Sequence, residues 1–488
     1  MIVTESTPKT PPKSNTPLLG ESSAPPAYAP RGPSAGPSGP YIVYQQQPLY
    51  PQRPPQSAGK RFLKAFLVAV GIWVLASALL GSIFSSRRYR HYQMVDLQAT
   101  YPVPDNVELD ECVTEWTTGP TNPTSSTPYT SLASFSFPIP SKTLLLLSKG
   151  SLSGGRLKVV TSASDDVKIT VAIHYADTLA RELAKVCLIN RDEGEQGVGL
   201  FTPTEWRGRP YSVSFDVELS IPRSQSNNPQ FINALLTDVN NFSQEIDSLQ
   251  DVVVFDTLTL QGSNGGIRSP SLVATNTIIK TSNARVAIGH LMSSTASVRS
   301  SGGGITGTYV TKGPLNLITS NGAIDVSISV TSDTDRQVPV LMTTSNAQIN
   351  AVVDLISTSN SGGSFLVQPK TSNGRLTTTI KSLPIDGKLK LEARTSNSLA
   401  QVALPLTYEG GFSLATSNAA TLVQRRGSSE RDPKCPDSGE CEGQRSRTVS
   451  TRMVRKTSAA GVVHWDAKNA QRGDVSLKTS NGGVTLVL

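Results

Sequence analysis

A short tripeptide, Thr-Ser-Asn, recurs through the C-terminal half of this 488-residue chain and constrains its fold more than any other feature. The turn asparagines that it predicts, including one from a Gly-Ser-Asn copy, are Asn264, Asn283, Asn321, Asn346, Asn360, Asn373, Asn397, Asn418 and Asn481. The first positions, with Gly302 replacing one asparagine, lie 19 residues apart, and later gaps widen to about 21–27 residues. Such self-similarity is typical of stacked repeats with insertions in their loops.

After most copies the sequence alternates apolar and polar residues. Ile324, Val326, Ile328 and Val330 follow one copy, with polar residues between them. A period of two indicates a strand with one buried face. One strand and one corner cannot bury a core alone, whereas about nine stacked copies can. The sequence therefore predicts a mainly β protein with a parallel β-solenoid over residues 251–488. A β-sandwich, with the copies as hairpin turns, is the alternative.

The residue types of the tripeptide suit a sharp corner. Asn and Gly tolerate the left-handed backbone conformation that we expect there, while Thr and Ser bond to nearby backbone groups. When strands stack at about 4.8 Å, equivalent asparagine side chains form a hydrogen-bonded ladder. The repeats are therefore expected to share one line of asparagines.

The composition favours an extracytoplasmic β protein. Charged residues make up 17% of the chain, below the usual quarter, and Ser, Thr and Gly are abundant. The formal net charge is +8. We expect the basic residues to concentrate around a membrane segment and in a late insert rather than to form one stripe. Nucleic-acid binding is therefore not predicted.

Residues 1–60 contain 14 prolines and few large apolar residues, so burial cannot offset the entropy of ordering them. A disordered, proline-rich tail is predicted. Within it, Pro25, Pro26 and Tyr28 match the PPxY ligand of WW domains, which bind a preformed polyproline II turn. A WW-domain protein is the partner expected there, and chance occurrence in a proline-rich tract is the alternative.

Residues 65–84 form an uncharged run of 20 residues, long enough to span the hydrocarbon core of a bilayer. Basic residues flank it on both sides, with a slight excess on the N-terminal side, which favours a cytosolic N-terminus. We therefore predict a single transmembrane helix that acts as a type II signal anchor. The protein is expected in the plasma membrane or secretory pathway, with its C-terminal domain extracellular or lumenal.

Residues 85–133 are expected to form a juxtamembrane region and a stalk, or a flexible linker, because nine of the fifteen residues over 117–131 are Ser or Thr. Folded structure should resume near Ser134, in an N-terminal β region over 134–250 that caps the solenoid. Within it, residues 178–189 fit either a short helix or a strand.

One segment of that region breaks the β pattern. Asn228 and Pro229 are a typical helix start, and apolar residues then recur at helical spacing as far as Leu249. An amphipathic helix is therefore predicted near residues 230–249. Asn241 begins the permitted N-glycosylation sequon Asn-Phe-Ser, which makes it the candidate glycan acceptor.

The repeats are interrupted by a polar insert near residues 424–456, which we expect to be disordered. Four cysteines allow three disulfide pairings. We favour Cys435–Cys441, which closes a small loop in the insert, and Cys112–Cys187, which ties the stalk to the first sheet. A zinc site is the rival, but neither pair has CxxC spacing and no histidine is nearby in sequence.

Repeated units of strand, TSN(G) turn and strand carry a family resemblance. Examples are KTSNARVAI over 280–288, ITSNGAIDVSI over 318–328 and KTSNGGVTLVL over 478–488, together with the strand SVSFDVELSIP over 212–222. The chain from about Ser134 to Leu488 resembles the putative-adhesin β-solenoid domain family, of unknown function, found in bacterial membrane proteins and fungal surface proteins. The proline-rich tail before a membrane anchor is similar to the fungal single-pass members. The predicted helix and the cysteine-bearing insert depart from the pattern, and the family supplies no catalytic residues.

The sequence predicts no enzyme, cofactor site or metal site. It lacks a Gly-x-Ser-x-Gly elbow, a P-loop and an HExxH motif, and its acidic residues are scattered, with Asp333 and Asp335 the closest approach to a cluster. A polysaccharide-active β-helix enzyme is therefore the less favoured alternative. We expect a surface module for recognition or adhesion, whose ligand is an unknown glycan or protein. A trafficking or quality-control adaptor that acts through the PPxY motif is the other alternative.

Overall fold

The computed structural model describes residues 66–72, 99–205, 212–226, 228–359, 362–425, 431–435 and 445–488, without the side chains of 453 and 454. By its internal contacts the chain divides into two units, Met1–Ile83 and Phe84–Leu488. In the first unit, residues 66–72 form an α-helix (α1). No helix in the described part of the chain is both long and apolar enough to cross a membrane. The tail over residues 1–60 and most of the segment over 65–84 lie outside the described residues.

The second unit is mainly β. Its N-terminal elements are β1 (Glu108–Cys112), β2 (Thr117–Thr118), β3 (Tyr129–Phe137), β4 (Thr143–Lys149), β5 (Gly154–Ser162), β6 (Val167–Tyr175), α2 (Thr178–Glu182), β7 (Lys185–Asn190), β8 (Glu195–Phe201), β9 (Val213–Pro222), β10 (Gln230–Val239) and β11 (Asn241–Ile246). The ambiguous segment over residues 178–189 therefore contains both a short helix and a strand.

The repeats follow. Their strands are β12 (Val253–Gln261), β13 (Ile267–Lys280), β14 (Val286–Arg299), β15 (Ile305–Thr311), β16 (Leu315–Ile318), β17 (Ile324–Thr331), β18 (Val338–Thr343), β19 (Ile349–Ile356), β20 (Ser364–Lys370), β21 (Leu376–Ser382), β22 (Lys388–Arg394), β23 (Ala400–Ala403), β24 (Gly410–Ala415), β25 (Thr421–Gln424), β26 (Thr448–Arg455), β27 (Ser458–His464), β28 (Gly473–Lys478) and β29 (Val484–Val487). A 3₁₀ helix lies at Ala467–Asn469.

Strands of successive repeats pair in parallel and form two rows. The first row contains β15, β17, β19, β21 and β23, each paired with the next. The second row contains β16, β18, β20 and β22. The long strands β13 and β14 contribute their first halves to the first row and their second halves to the second. Each of these repeats therefore places one strand in each row.

Buried side chains from both rows form one hydrophobic core. Along the first row, Ile305, Ile324, Ile349 and Leu376 occupy paired positions, and each is at most 1% exposed. Full burial of such a side chain contributes about 1.5–3 kcal/mol, so the stacking of equivalent residues is what holds the repeats together. The alternation that predicted one buried face per strand reflects this core.

The two rows begin before residue 251. β4 and β5 pair in parallel with β10 and β11, and β8 and β9 extend the rows by one further strand each. Antiparallel strands lie at this end: β7 and β1 beside β8, and β6, β3 and β2 beside β9. The N-terminal β region therefore combines a cap with additional parallel strands.

The last repeat in the sequence is not the last in the stack. β28 lies between β22 and β24, and β29 lies between β23 and β25, with parallel pairing on both sides. The chain thus forms the end repeat, β24 and β25, before it continues through β26 and β27. It then returns as β28 and β29, which fill the place between that end repeat and the repeat of β22 and β23. Leu477, Leu486 and Leu488 of this intercalated repeat are fully buried.

The predicted helix near residues 230–249 is wrong, because β10 and β11 occupy this segment. Leu235 and Val239 are buried, as helical spacing requires, but Thr237 between them is buried too and Phe231 is 58% exposed. That alternation is a strand pattern. β10 also has parallel partners on both sides, β4 and β12, whose hydrogen bonds decide the conformation.

Two segments expected to be irregular are ordered in part. The Ser/Thr-rich stalk contains β2 and the start of β3, and β1 precedes it, so folded structure begins well before Ser134. The insert over residues 424–456 contains β26, which pairs with β27. The Ser/Thr content of the first segment predicted a stalk or flexible linker, and the polarity of the second predicted disorder. Pairing with neighbouring strands orders part of each segment.

Candidate functional site

The asparagines of the repeats form a hydrogen-bonded ladder along the corner where the chain passes from the second row to the first. At each step the Nδ2 group of one asparagine donates to Oδ1 of another, at 2.6–2.7 Å. One ladder joins Asn241, Asn264 and Asn283, and another joins Asn321, Asn346, Asn373, Asn397, Asn481 and Asn418. All of these residues are exposed. We call this line of side chains the asparagine ridge; Gly302 interrupts it.

The backbone beneath the ridge is satisfied within the stack. The Ser320 carbonyl oxygen accepts hydrogen bonds from the N–H groups of Ser345 and Asn346, both at 3.0 Å. The same two-donor pattern repeats at successive corners, from the Asn240 carbonyl to that of Ser480. A primary amide has two N–H donors and two acceptor lone pairs, and one ladder bond on each side uses only one of each. Each amide inside a ladder therefore keeps its other donor and lone pair for a ligand.

The threonine of each corner lies on the inside. Thr319 is 3% exposed; its hydroxyl donates to the Gly303 carbonyl oxygen at 3.0 Å and accepts from the Gly322 N–H at 3.1 Å. The hydroxyls of Thr344 and Thr371 donate to the equivalent carbonyls, also at 3.0 Å. The hydroxyl explains this residue type, because it binds backbone groups within the stack. Ser300 fills the same role at the Gly302 corner, where its hydroxyl donates to the Ala284 carbonyl oxygen at 3.1 Å.

The expected left-handed conformation of the turn is wrong. Among the described residues other than glycine, only Asp251 and Asp386 have a positive φ. The ladder bonds therefore explain the asparagines. Close approach explains at least one of the glycines that follow them, because a Cβ on Gly322 would lie 2.0 Å from the Gly303 carbonyl oxygen.

One predicted turn does not belong to the ridge. The ladder passes directly from Asn346 to Asn373, whereas Thr358 and Ser359 follow β19 at the opposite corner. Asn360 itself lies outside the described residues. The tripeptide occurs at both corners, so it does not show by itself which corner a copy occupies. A copy that follows a second-row strand lies on the ridge, whereas the copy at Thr358 follows a first-row strand and lies at the opposite corner.

Asn241 is a member of the ridge that the Thr-Ser-Asn repeat does not predict. Asn241 follows Asn240 where β10 turns into β11, so this pair replaces Ser-Asn. The Asn241 Nδ2 group donates to the Ser153 carbonyl oxygen at 3.3 Å. The candidate glycan acceptor is therefore exposed at a corner rather than placed on a helix. An Asn-Asn pair between two alternating segments is the signal that could have identified it.

The second row carries a line of positive charge beside the ridge. The residues immediately before the corners lie in register on neighbouring strands, in the order Lys280, Arg299, Ile318, Thr343, Lys370, Arg394 and Lys478. Five of these seven are cations, and all five are exposed. We call this line the basic column. The expectation that the basic residues form no stripe is therefore wrong for the repeats.

The acidic pair that came closest to a catalytic cluster has a structural role. Asp333 Oδ1 accepts hydrogen bonds from the Thr358 and Ser359 N–H groups at 2.6 and 3.3 Å, and the Thr358 bond lowers the pKa of this carboxyl. Asp335 pairs with Lys388 at 2.9 Å. A general acid needs a raised pKa, so Asp333 is suited to holding the loop after β19 rather than to proton donation.

Cys112 and Cys187 form a disulfide between β1 and β7, which is the pairing favoured from the sequence. Cys435 is also disulfide-bonded, while Cys441 lies outside the described residues. In the part of the chain that the structure describes, no three His, Cys, Asp or Glu side chains come together as possible metal ligands. The candidate WW-ligand residues Pro25, Pro26 and Tyr28 are not among the described residues.

Comparison with known proteins gives no family assignment. No protein-family model matches the chain, and no curated protein matches it significantly. Among solved structures, a "putative cell adhesion protein" from Clostridium sporogenes is 8% identical, with a TM-score of 0.13, over 73% of this chain and 99% of that one. A "putative adhesin" from Bacteroides fragilis is 9% identical (TM-score 0.21; 73% and 96% covered), and one from Parabacteroides distasonis is 8% identical (TM-score 0.23; 73% and 97% covered). Such low TM-scores do not establish a shared fold or function.

Proposed function

We propose that this chain is a non-catalytic, adhesin-like recognition module, a parallel β-solenoid that binds its ligand through the asparagine ridge and the strand faces beside it. The solenoid is supported by the two rows of parallel strands and by their repeated register. The observation that carries the function is the ridge. Its longer ladder presents six exposed amides, one per strand, on a backbone whose hydrogen bonds are satisfied within the stack. A preorganised row of this kind binds an extended ligand with little loss of protein conformational entropy.

We further propose that a membrane anchor displays the module at the cell surface or in the secretory pathway. The uncharged run over residues 65–84 supports a single span, and the basic residues before it favour a cytosolic N-terminus. The disulfide between Cys112 and Cys187 supports an oxidising compartment for the C-terminal unit.

The recognition function can be tested by binding of the detergent-solubilised full chain to intact cells that do not express it. The ridge variant carries Asn346→Ser, Asn373→Ser and Asn397→Ser. A matched control carries the same change at three exposed asparagines away from the ridge and its strand faces, Asn106, Asn122 and Asn233.

We expect the ridge variant to bind at least tenfold more weakly than wild type and the control to bind within twofold of it. Circular dichroism would establish that both variants are folded. Wild-type binding by a folded ridge variant would contradict the proposal.

A second function is favoured by the PPxY motif in the tail. We propose that Pro25, Pro26 and Tyr28 bind a WW domain, as a trafficking or quality-control adaptor would require. Preformed polyproline II structure would give micromolar affinity, about −8 kcal/mol. Tyr28→Ala in the full chain should abolish binding to a panel of isolated WW domains, whereas Tyr44→Ala, in the same tail, should not. Equal effects of the two substitutions would contradict this function.

A further inference from the structure

We propose that the basic column and the adjoining asparagine ridge bind a linear acidic polysaccharide that lies along the stack of repeats. This inference rests on the proposed recognition function and names the chemical class of its ligand. The seven positions of the column span about 29 Å, taking about 4.8 Å between neighbouring strands. Five cations over this length match a polymer with a negative charge on many of its successive units.

The most concentrated part of the column consists of Lys370, Arg394 and Lys478 on three adjacent strands. Like charges directly opposite each other on neighbouring strands are destabilising. Nearby Glu392 pairs with Lys390 at 3.0 Å and with Arg394 at 3.3 Å. Among the described residues, no ion pair within 4.0 Å joins Lys370 or Lys478 to a carboxylate. The arrangement therefore leaves positive charge that an anionic ligand would neutralise.

Other charges around this cluster do not cancel it. Asp474 lies in register with Lys390, on the strand that carries Lys478. Arg375, just beyond the corner, donates to the neutral Gln401 side chain at 3.2 Å. Counting Lys370, Arg375, Lys390, Arg394 and Lys478 against Glu392 and Asp474 gives five cations and two anions, a net charge of +3. The surface is therefore basic even when its nearby carboxylates are included.

The intercalated repeat builds part of this surface. Lys478 lies beside Arg394 because β28 enters between β22 and β24. Without that insertion, the next residue of the column after Arg394 would be Ala415, which pairs with Lys478 on its other side. The same repeat places Asn481 between Asn397 and Asn418 in the ridge. One unusual feature of the fold therefore lengthens both the line of charge and the line of amides.

The two lines have matching chemistry for a polysaccharide. Asn373, Asn397 and Asn481 each lie three residues after a cation of the column and retain one N–H donor and one acceptor lone pair for a ligand. A sugar hydroxyl is both donor and acceptor, so it can use both. Single-stranded nucleic acid also carries repeated charge, but proteins bind its bases by aromatic stacking. None of the residues of the ridge or the column is aromatic, which favours the polysaccharide.

The test measures binding of the detergent-solubilised full chain to four immobilised polymers. Heparin supplies sulfate groups, polygalacturonate supplies carboxylates, dextran is neutral, and a thymidine oligonucleotide represents nucleic acid. The column variant carries Lys370→Gln, Arg394→Gln and Lys478→Gln. The control variant makes the same change in charge at three exposed lysines elsewhere, Lys158, Lys168 and Lys312.

We expect wild type to bind one or both acidic polysaccharides, more weakly as salt is raised, and not to bind dextran. The column variant should bind at least tenfold more weakly and the control within threefold. The column variant should melt at the same temperature as wild type or higher, because like-charge repulsion is removed, so weak binding would not reflect unfolding.

Three results would overturn the inference: no binding of wild type to either acidic polymer, equal losses in the two variants, or oligonucleotide binding that is as tight and as dependent on the column. If the column variant still recognises cells while the ridge variant does not, the acidic ligand is wrong and the recognition function stands.

Discussion

At the scale of single residues, each corner divides its polar groups between two environments. The threonine hydroxyl binds backbone inside the stack, and the asparagine amide binds its equivalents at the surface. Recurrence in the sequence was enough to identify both residue types. It could not give the backbone conformation, because hydrogen bonds from the next corner, as at Ser320, fix the turn and are not visible in one copy.

Removing the buried hydroxyl should cost more stability than removing an exposed amide. Thr319→Val leaves the Gly322 N–H and the Gly303 carbonyl without this partner, which should lower the free energy of unfolding by about 2 kcal/mol. Asn346→Ala breaks two ladder bonds, but water replaces them, so the loss should stay below about 1 kcal/mol. Chemical denaturation measures both.

Ser327→Ala, on the exposed face of β17, is the control and should change the stability little. The reverse order, with the greater loss for Asn346→Ala, would mean that the ladder rather than the hydroxyl holds the corner.

At the scale of elements, the local sequence pattern did not predict two features that strand pairing determines: the conformation of residues 230–249 and the order of the final repeats. The apolar residues of 230–249 fit a helix as well as two strands, because the turn at Asn240 shifts the alternation by one position. The order of the final repeats was also invisible, since repeats that share one pattern can stack in any order. Local alternation of apolar and polar residues was enough to predict that strands are present. It could not predict which strands pair, because the partners are distant in sequence.

The intercalated repeat should contribute more stability than an end strand. Leu486 is fully buried, and its strand pairs with β23 and β25. Leu486→Ala should therefore cost about 2–5 kcal/mol. Leu422→Ala on neighbouring β25, where the side chain is 47% exposed, should change the free energy of unfolding by about 0.5 kcal/mol or less. Similar effects in thermal unfolding would argue against the position of β29 inside the stack.

The ordered part of the insert should make stability depend on pH. Buried Asp432 accepts hydrogen bonds from Arg445 at 2.6 and 2.7 Å, and these bonds hold the pKa of its carboxyl below the usual range. A lowered folded-state pKa adds stability above the unfolded pKa, about 3.9, and this contribution disappears as pH falls through the folded value. Asp432→Asn should therefore lower Tm at pH 7, and its Tm should approach that of wild type as pH falls through the lowered folded pKa.

Asp165→Asn, at an exposed site, is the matched control and should follow the wild-type profile. A difference in Tm between Asp432→Asn and wild type that stays constant as pH falls from 7 until the carboxylates are protonated would exclude ionisation as its cause.

At the scale of the whole molecule, properties arise from the register of the repeats. The basic column joins residues as distant in sequence as Arg394 and Lys478, and widening repeat lengths hide their common position. The composition therefore gave the net charge but not its arrangement. In a stack of this kind each repeat contacts mainly its two neighbours. A continuous line of side chains such as the basic column can therefore form even when its members are unevenly spaced in the sequence.

The orientation across the membrane is the prediction on which display depends. If the C-terminal unit enters an oxidising compartment, Cys112 and Cys187 should be blocked as a disulfide in protein taken from intact cells. Alkylation after denaturation without reductant would then label neither, and labelling would appear once reductant is added. Cys112→Ser is the control, because it frees Cys187 and shows that the assay detects a single thiol.

The same cells should give an independent result with external protease. For protein at the cell surface, a tag after residue 488 should be digested, whereas a tag before residue 1 should be protected until detergent opens the membrane. Free thiols at Cys112 and Cys187, together with protection of the C-terminal tag, would place the repeats in the cytosol. In that case the ridge and the basic column would have to act on an intracellular ligand.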